Sequence, residues 1–455
     1  MRRILLPGLL LLLTASLMGA GDARADEAAF GTATSFNLAN GLQVAVIEDH
    51  RTPVVTHMVW YKFGAVDDPP GASGLAHLIE HLMFKTFDAG APETFAQIMS
   101  RLGAVDNATT GPDSTWYFQR VAREYLPEIM AIEARRMSGL AITEEQVATE
   151  RAVVREERRL VIESDPLRLL GEQVMAALYL HHPYRRPPIG AADEIPTLKR
   201  DDALAAYRNF YVPENAVVVI AGDVTPAQVR ALASSTYGAV IGRSPPVRPA
   251  IVEPEPVAAR RVEMTDERAA QPTLVRYYLT PSYRTATPGM AESLEILAAI
   301  LGAGEASRLN RALVTRRKVA LLAGARYFGE GRDSGRFAVF VRLPEGGDPH
   351  AAEEALDAEL ADLLASGIGE DELAQAKSAI DARLILDSDS QQQLAARYGE
   401  ALAAGRSLAD VAGLSERLAR VSRSDVEEAA HAFLAARRSV TGLLMPGPAH
   451  QEASR

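Results

Sequence analysis

Gly74-Leu75-Ala76-His77-Leu78-Ile79-Glu80-His81-Leu82-Met83-Phe84-Lys85 reads as one apolar helix that carries two histidines and a glutamate. Buried polar groups cost free energy unless they are paired or bind a metal. At 3.6 residues per turn, His77 and His81 share a face one turn apart, so both imidazoles reach a single ion. Glu80 is offset from both on the same side, within reach of a water held at that ion. The bland alternative is a buried helix whose histidines bond to neighbouring carbonyls.

Working outward, the chain reads as two copies of one unit. Laid over the first copy, the second places Glu292 near His77, Glu295 near Glu80 and Ile296 near His81, so the polar set is absent from it. Ile142-Thr143-Glu144-Glu145 and Ile368-Gly369-Glu370-Asp371-Glu372 are matching phrases, each leading into a helix. Strands are expected at Leu42 to Ile47, Val54 to Tyr61 and Ala216 to Ala221 in the first copy. Thr273 to Leu279 and Ser439 to Met445 are their counterparts in the second. Strand pairs lie close enough for antiparallel pairing. The expected fold is therefore α+β: two α/β-sandwich repeats with helices packed on an antiparallel-rich sheet. The repeats span residues 33–240 and 260–446. Proline-rich residues 241–259 link them, with Pro245-Pro246, Pro249, Pro254 and Pro256 stiffening the chain. Residues 447–455 read as a flexible tail.

Composition narrows the function. The 455 residues are 47% hydrophobic and 24% charged, ordinary for a globular chain. A net charge of -11 disfavours binding to a phosphate backbone. With no cysteine, disulfides, thiolate metal sites and a lipidated cysteine are unavailable. Arg2-Arg3, an apolar stretch from Ile4 to Leu13 and Ala23-Arg24-Ala25 form a signal-peptide pattern over residues 1–25. Cleavage before Asp26 gives an exported protein, periplasmic or secreted. The alternative is an uncleaved anchor, for which the apolar stretch is short.

The order H-x-x-E-H is the inverted zincin signature. A catalytic zinc usually has three protein ligands and one open position. The third donor is sought on a glutamate-rich helix starting near Glu144 and running to about Ile162. There Glu150 and Glu157 are seven apart and share a face, while Glu156 lies about 100° away. Glu157 is assigned as ligand, with Glu150 beside it to orient a ligand or the water. A solvated helix face with nearby arginines is the competing reading for each glutamate. His181-His182-Pro183-Tyr184 is read as a turn, because adjacent histidines do not face the same way.

These residues resemble the pitrilysin-type zinc peptidases, the family of insulin-degrading enzyme and the mitochondrial processing peptidase. The length is most similar to the bacterial, processing-peptidase-like branch. The most specific pieces are Asp68-Pro69-Pro70-Gly71 leading into Gly74 to Lys85, and the run Glu150 to Glu157. The resemblance implies one Zn2+ held by His77, His81 and Glu157, with Glu80 as general base; Glu150, placed by the shared helix face, is counted with Glu80 as catalytic. It implies that Asn107, Ala108 and Thr109, in Gly103 to Thr109, lie on an edge strand that pairs with an extended peptide. Read alone, Asn107 is equally a turn residue. Family members that act alone carry an arginine and a tyrosine seven apart in the second half. Val314 and Leu321 occupy those positions here. The resemblance therefore implies a zinc-bearing subunit, half of a clamshell. It would work with a second pitrilysin-like subunit that supplies the Arg/Tyr pair, a homodimer remaining open. The expected activity is zinc-dependent endopeptidase hydrolysis of peptides or unfolded polypeptides. A non-catalytic scaffold or peptide-binding subunit of the same fold is the alternative, and a maturation protease for one dedicated precursor is a weaker one. Nucleic acid and a stable membrane anchor are not expected partners.

Overall fold

The computed structural model describes residues 33–85 and 93–447. The expected leader at 1–25 and residues 448–455 of the expected tail lie outside them. The first repeat runs β1 (Ala33–Asn37), β2 (Gln43–Glu48), β3 (Val54–Tyr61), α1 (Leu75–Met83), α2 (Phe95–Leu102), β4 (Val105–Thr110), β5 (Thr115–Ala122), α3 (Leu126–Ser138), α4 (Glu144–Arg158), α5 (Pro166–Leu178), α6 (Arg200–Phe210), β6 (Ala216–Gly222) and α7 (Pro226–Ser235). The second runs β7 (Arg260–Asp266), β8 (Thr273–Pro281), α8 (Met290–Gly302), β9 (Leu322–Phe328), β10 (Ser334–Arg342), α9 (Pro349–Ser366), α10 (Glu370–Ser388), α11 (Gln391–Ala403), α12 (Leu408–Ala412), α13 (Leu414–Arg420), α14 (Arg423–Phe433) and β11 (Ser439–Pro446). The stretch 241–257 between them has no regular structure.

The sheets show the duplication directly. The first has the order β1-β2-β6-β3-β5-β4 and the second β7-β11-β8-β10-β9. Without β1, the two orders superimpose strand for strand. β2 runs parallel to β6 as β7 does to β11, and the other pairs are antiparallel. β6, AVVVIAG, is buried along its whole length, as expected of a central strand covered on both faces.

Period-two alternation decides which face each strand residue covers. Val44, Val46, Val59, Val218 and Ile220 pack with α1, α3 and the other helices of their own repeat. Ala45, Ile47, Met58, Trp60, Val217 and Val219 point the other way, into a core shared with α8, α10 and α11 of the second repeat. The reverse also holds. Leu170, Val174 and Leu178 of α5 are fully buried against Leu279, Val440 and Leu444 of the second sheet. Each such side chain contributes about 1.5–3 kcal/mol by burial. The repeats have thus exchanged helices, α11 covering the first sheet and α5 the second.

A polar knot joins the two β-hairpins that match under the duplication. Asp113, between β4 and β5, accepts the backbone N–H of Arg332 at 2.9 Å and the hydroxyl of Tyr184. His182 Nε2 lies 3.0 Å from Asp333, between β9 and β10. The expected turn at His181 to Tyr184 is a single 3-10 turn, Pro183–Arg185, with His182 buried as its cap. Arg248 of the inter-repeat stretch is tied to Asp67 at 2.8 Å.

Candidate metal centre

α1 begins at Gly74, whose φ of 89° suits glycine. A Cβ there would also meet Ile189 O at 2.7 Å, because this chain segment crosses residues 189–190 backbone to backbone. The helix is then buried along nearly its full length, with His77 and Glu80 inside.

α4 supplies the carboxylates. A capping box starts it: Thr143 accepts from Gln146 N at 3.1 Å and Gln146 accepts from Thr143 N at 2.8 Å. The helix ends at Arg158 and widens into a π-turn, Arg159–Glu163, so the expected end near Ile162 falls within that turn. Packing of α4 on α1 brings one donor atom from each of His77, His81 and Glu157 within 4.8 Å of one another. Glu157 Oε2 lies 3.2 Å from His81 Nε2 and 3.8 Å from His77 Nε2. Glu156 turns outward and pairs with Arg159.

The two histidines differ in support. His81 Nδ1 lies 3.3 Å from Glu150 Oε2, and Lys85 Nζ holds the other oxygen of that buried carboxylate at 3.3 Å. His77 Nδ1 is buried with no hydrogen-bond partner among the described residues. Burial and the neighbouring His81 push the His77 imidazole down to about 4, against the pull of Glu157. Burial also presses on His81, but Glu157, Glu80 and Glu150 outweigh it and hold its pKa above the ordinary value. The hydrogen bond from His81 keeps Glu157 below the usual carboxylate range. A neutral buried imidazole, a second imidazole and an ionised carboxylate around one point fit a zinc ion in donor type and number.

Glu80 is 8% exposed, and burial raises its pKa. Its Oε2 accepts the Thr110 hydroxyl at 2.5 Å. Thr110 ends β4, the strand that carries Asn107, Ala108 and Thr109. Among the described strands β4 pairs with β5 alone, so its outer edge is open. Asn107 and Thr109 are exposed there, and Ala108 faces the core. Thr110 and Lys85 had no role in the sequence reading. Lys85 closes the apolar run that begins at Gly74, and Thr110 is one residue beyond the Asn107 to Thr109 stretch.

The second copy is built differently. α8 also begins at a left-handed glycine, Gly289 with φ 86°. Where α1 faces carboxylates, α8 faces arginines: Arg417 binds Glu292 at 2.6 Å and Arg383 binds Glu295 at 2.5 Å. Val314 lies in a π-helical turn, Asn310–Arg316, packed against the core, and Leu321 is 52% exposed.

A duplicated α+β chain that, among the described residues, gathers two imidazoles and a carboxylate in its first repeat has the build of the zinc-protease class. Two sequence profiles match it: "Insulinase (Peptidase family M16)" over residues 43–192 and "Peptidase M16 inactive domain" over residues 197–380. The chain belongs to this family, the M16 peptidases. It is similar to the zinc protease PqqE of Helicobacter pylori, 28% identical over 422 residues, covering 90% of this chain and 92% of the relative. An uncharacterized zinc protease of Streptomyces coelicolor is 25% identical over 428 residues, covering 91% and 90%. Among solved structures, a protease from Helicobacter pylori superimposes with a TM-score of 0.84 at 26% identity, over 91% of this chain and all of the other. The first half of the periplasmic protease PqqL from Escherichia coli shares the fold, with a TM-score of 0.77 at 19% identity, covering 91% and 92%.

Proposed function

We propose that the chain is the zinc-bearing subunit of an endopeptidase that hydrolyses peptides or unfolded polypeptides. One observation carries this reading: donor atoms of His77, His81 and Glu157 lie within 4.8 Å of one another, beside a buried glutamate that is no part of that set. When bound, zinc supplies a Lewis acid that acidifies water and polarises the peptide carbonyl. His77, His81 and Glu157 hold it, and Glu150 orients His81 through Nδ1. Glu80 takes a proton from the attacking water and delivers it to the leaving amine. Burial raises its pKa above the ordinary carboxylate value, which favours holding the proton it takes until the amine leaves. The bond from Thr110 couples Glu80 to the strand whose open edge, at Asn107, Ala108 and Thr109, pairs with the peptide main chain.

Val314 and Leu321 leave this chain without an arginine–tyrosine pair, and a second subunit of the same build supplies it. The match to half of PqqL supports this, because one chain there holds about twice this length: the present chain covers 48% of the whole protein. The leader pattern at 1–25 supports export. The test is peptide cleavage by the purified chain, with and without a co-expressed partner, before and after chelation. Glu80→Gln should keep equimolar zinc and lose about 10²–10⁴-fold in kcat. Undiminished turnover in that variant would overturn the base assignment. A wild-type chain without zinc would favour a peptide-binding scaffold.

A further inference from the structure

Asp68-Pro69-Pro70-Gly71 has no part in the chemistry above, yet it stands directly before the metal helix. The run forms a tight turn: Ala72 N–H donates to Pro69 O at 3.0 Å, with Pro70 at the second position and Gly71 at the third. Gly71 has φ 81°, and a Cβ there would meet nothing within 4 Å. Glycine is required by conformation and not by space, as in a type II turn. The turn folds the chain back so that Asp68 lies under the start of α1. Arg186 holds it there by donating to the Asp68 backbone carbonyl at 2.9 Å.

The Asp68 carboxylate then does what the helix cannot do for itself. The N-cap of α1 is Gly74, which has no side chain to cap with. Asp68 Oδ2 accepts from Gly74 N at 2.8 Å and Oδ1 accepts from Ala76 N at 2.9 Å. Glu194 Oε2 accepts from Ser73 N at 2.7 Å. Three donors at the helix start are thus taken by two carboxyl groups from outside the helix. Asp68 is 3% exposed, too buried to be an incidental surface contact.

The asymmetry of the histidines gives this clamp a purpose. His81 is oriented through its ring by Glu150, whereas His77 Nδ1 has no partner among the described residues. The position of His77 is set by the backbone, and the preceding residue, Ala76, is one that Asp68 grips. We infer that Asp68, aided by Glu194, is a positioning residue for His77, fixing the first turn of the metal helix where a ring partner is missing. The inference rests on the metal reading proposed above.

The test uses the full chain and two readouts. Zinc affinity is measured by competition with a chelating dye, and backbone amide exchange is measured at residues 74–77. Asp68→Asn, which turns an NH2 toward a backbone donor, should weaken zinc by about 10–100-fold, the range for groups that orient ligands. Exchange at 74–77 should quicken by about tenfold or more. Thr225→Ala, which removes the capping box of the remote helix α7, is the control for lost helix capping in general and should alter neither readout. If Asp68→Asn fails to fold, Glu194→Ala, which removes the Ser73 bond alone, should weaken zinc roughly threefold or more. Unchanged zinc affinity in folded Asp68→Asn overturns the inference. So does unchanged affinity in Glu194→Ala when Asp68→Asn does not fold, or an equal loss in Thr225→Ala. A wild-type chain that binds no zinc sinks the metal reading, and exchange at 74–77 then shows separately whether Asp68 holds the turn.

Discussion

His77 and His81 are one helical turn apart and chemically unlike. Burial keeps His77 neutral, with its pKa at about 4, whereas the carboxylates around His81 hold its pKa above the ordinary 6.5. Glu157 is ionised throughout the neutral range. A ligand must shed its proton before it binds a metal. Zinc binding should therefore release protons in mildly acidic solution, chiefly from His81. Release should shrink as pH rises, and affinity should fall as pH drops. Calorimetry in two buffers of different ionisation enthalpy measures this, and equal release at pH 6 and pH 8 would contradict it. At this scale, residues named by spacing on one helix were legible. The two histidines and Glu80 follow from a 3.6-residue period; the same period puts Glu150 and Glu157 on one face without choosing between them. Thr110 and Asp68 were not legible as partners, because each acts across a turn or a sheet that no local period encodes.

Elements were legible wherever burial leaves a pattern. β3 lies where its apolar run places it, and β6, β8 and β11 extend one or two residues past theirs. β7, RRVEMTD, went unassigned because an edge strand half open to solvent carries charges and resembles a loop. β3 also buries His57 completely, an exception to its apolar rule. Its Nδ1 is 3.0 Å from Gln119 Oε1 and its Nε2 is 2.9 Å from the Tyr237 hydroxyl, a pattern that satisfies the neutral ring. Burial is the main reason its pKa drops to about 4, with Arg136 adding to it and Gln119 opposing. A histidine depressed in the folded state binds its proton more readily when unfolded. The stability it confers is complete above its unfolded pKa of 6.5 and is lost as pH falls toward 4. The loss is on the order of 3 kcal/mol. Urea unfolding at pH 7 and pH 4.5 should show it, and His57→Gln should flatten that part of the slope.

At the scale of the molecule, the duplication was legible from matching phrases, but the exchange of helices was not. Nothing in the sequence of α5 says which sheet its apolar face will cover. Its apolar face packs on the second sheet, and shape is part of such packing. Gly399 on α11 shows how tight that shape is: a Cβ there would stand 2.0 Å from Trp60 Nε1, beneath the sheet of the other repeat. Trp60 is 3% exposed and has no room to retreat. Gly399→Ala should therefore cost about 1–3 kcal/mol by overpacking. Because the repeats share a core, the loss should shift one common unfolding transition, and two separated transitions in a denaturant titration would argue against that shared core.

The helix exchange also bears on how such a chain can change over generations. A gene that doubles usually leaves one copy dispensable, free to decay or vanish. Here each half wears part of the other as its own covering, so deleting either strips the survivor of a face. The second repeat carries no histidine on α8, where arginines pair with Glu292 and Glu295, yet discarding it would uncover the first sheet.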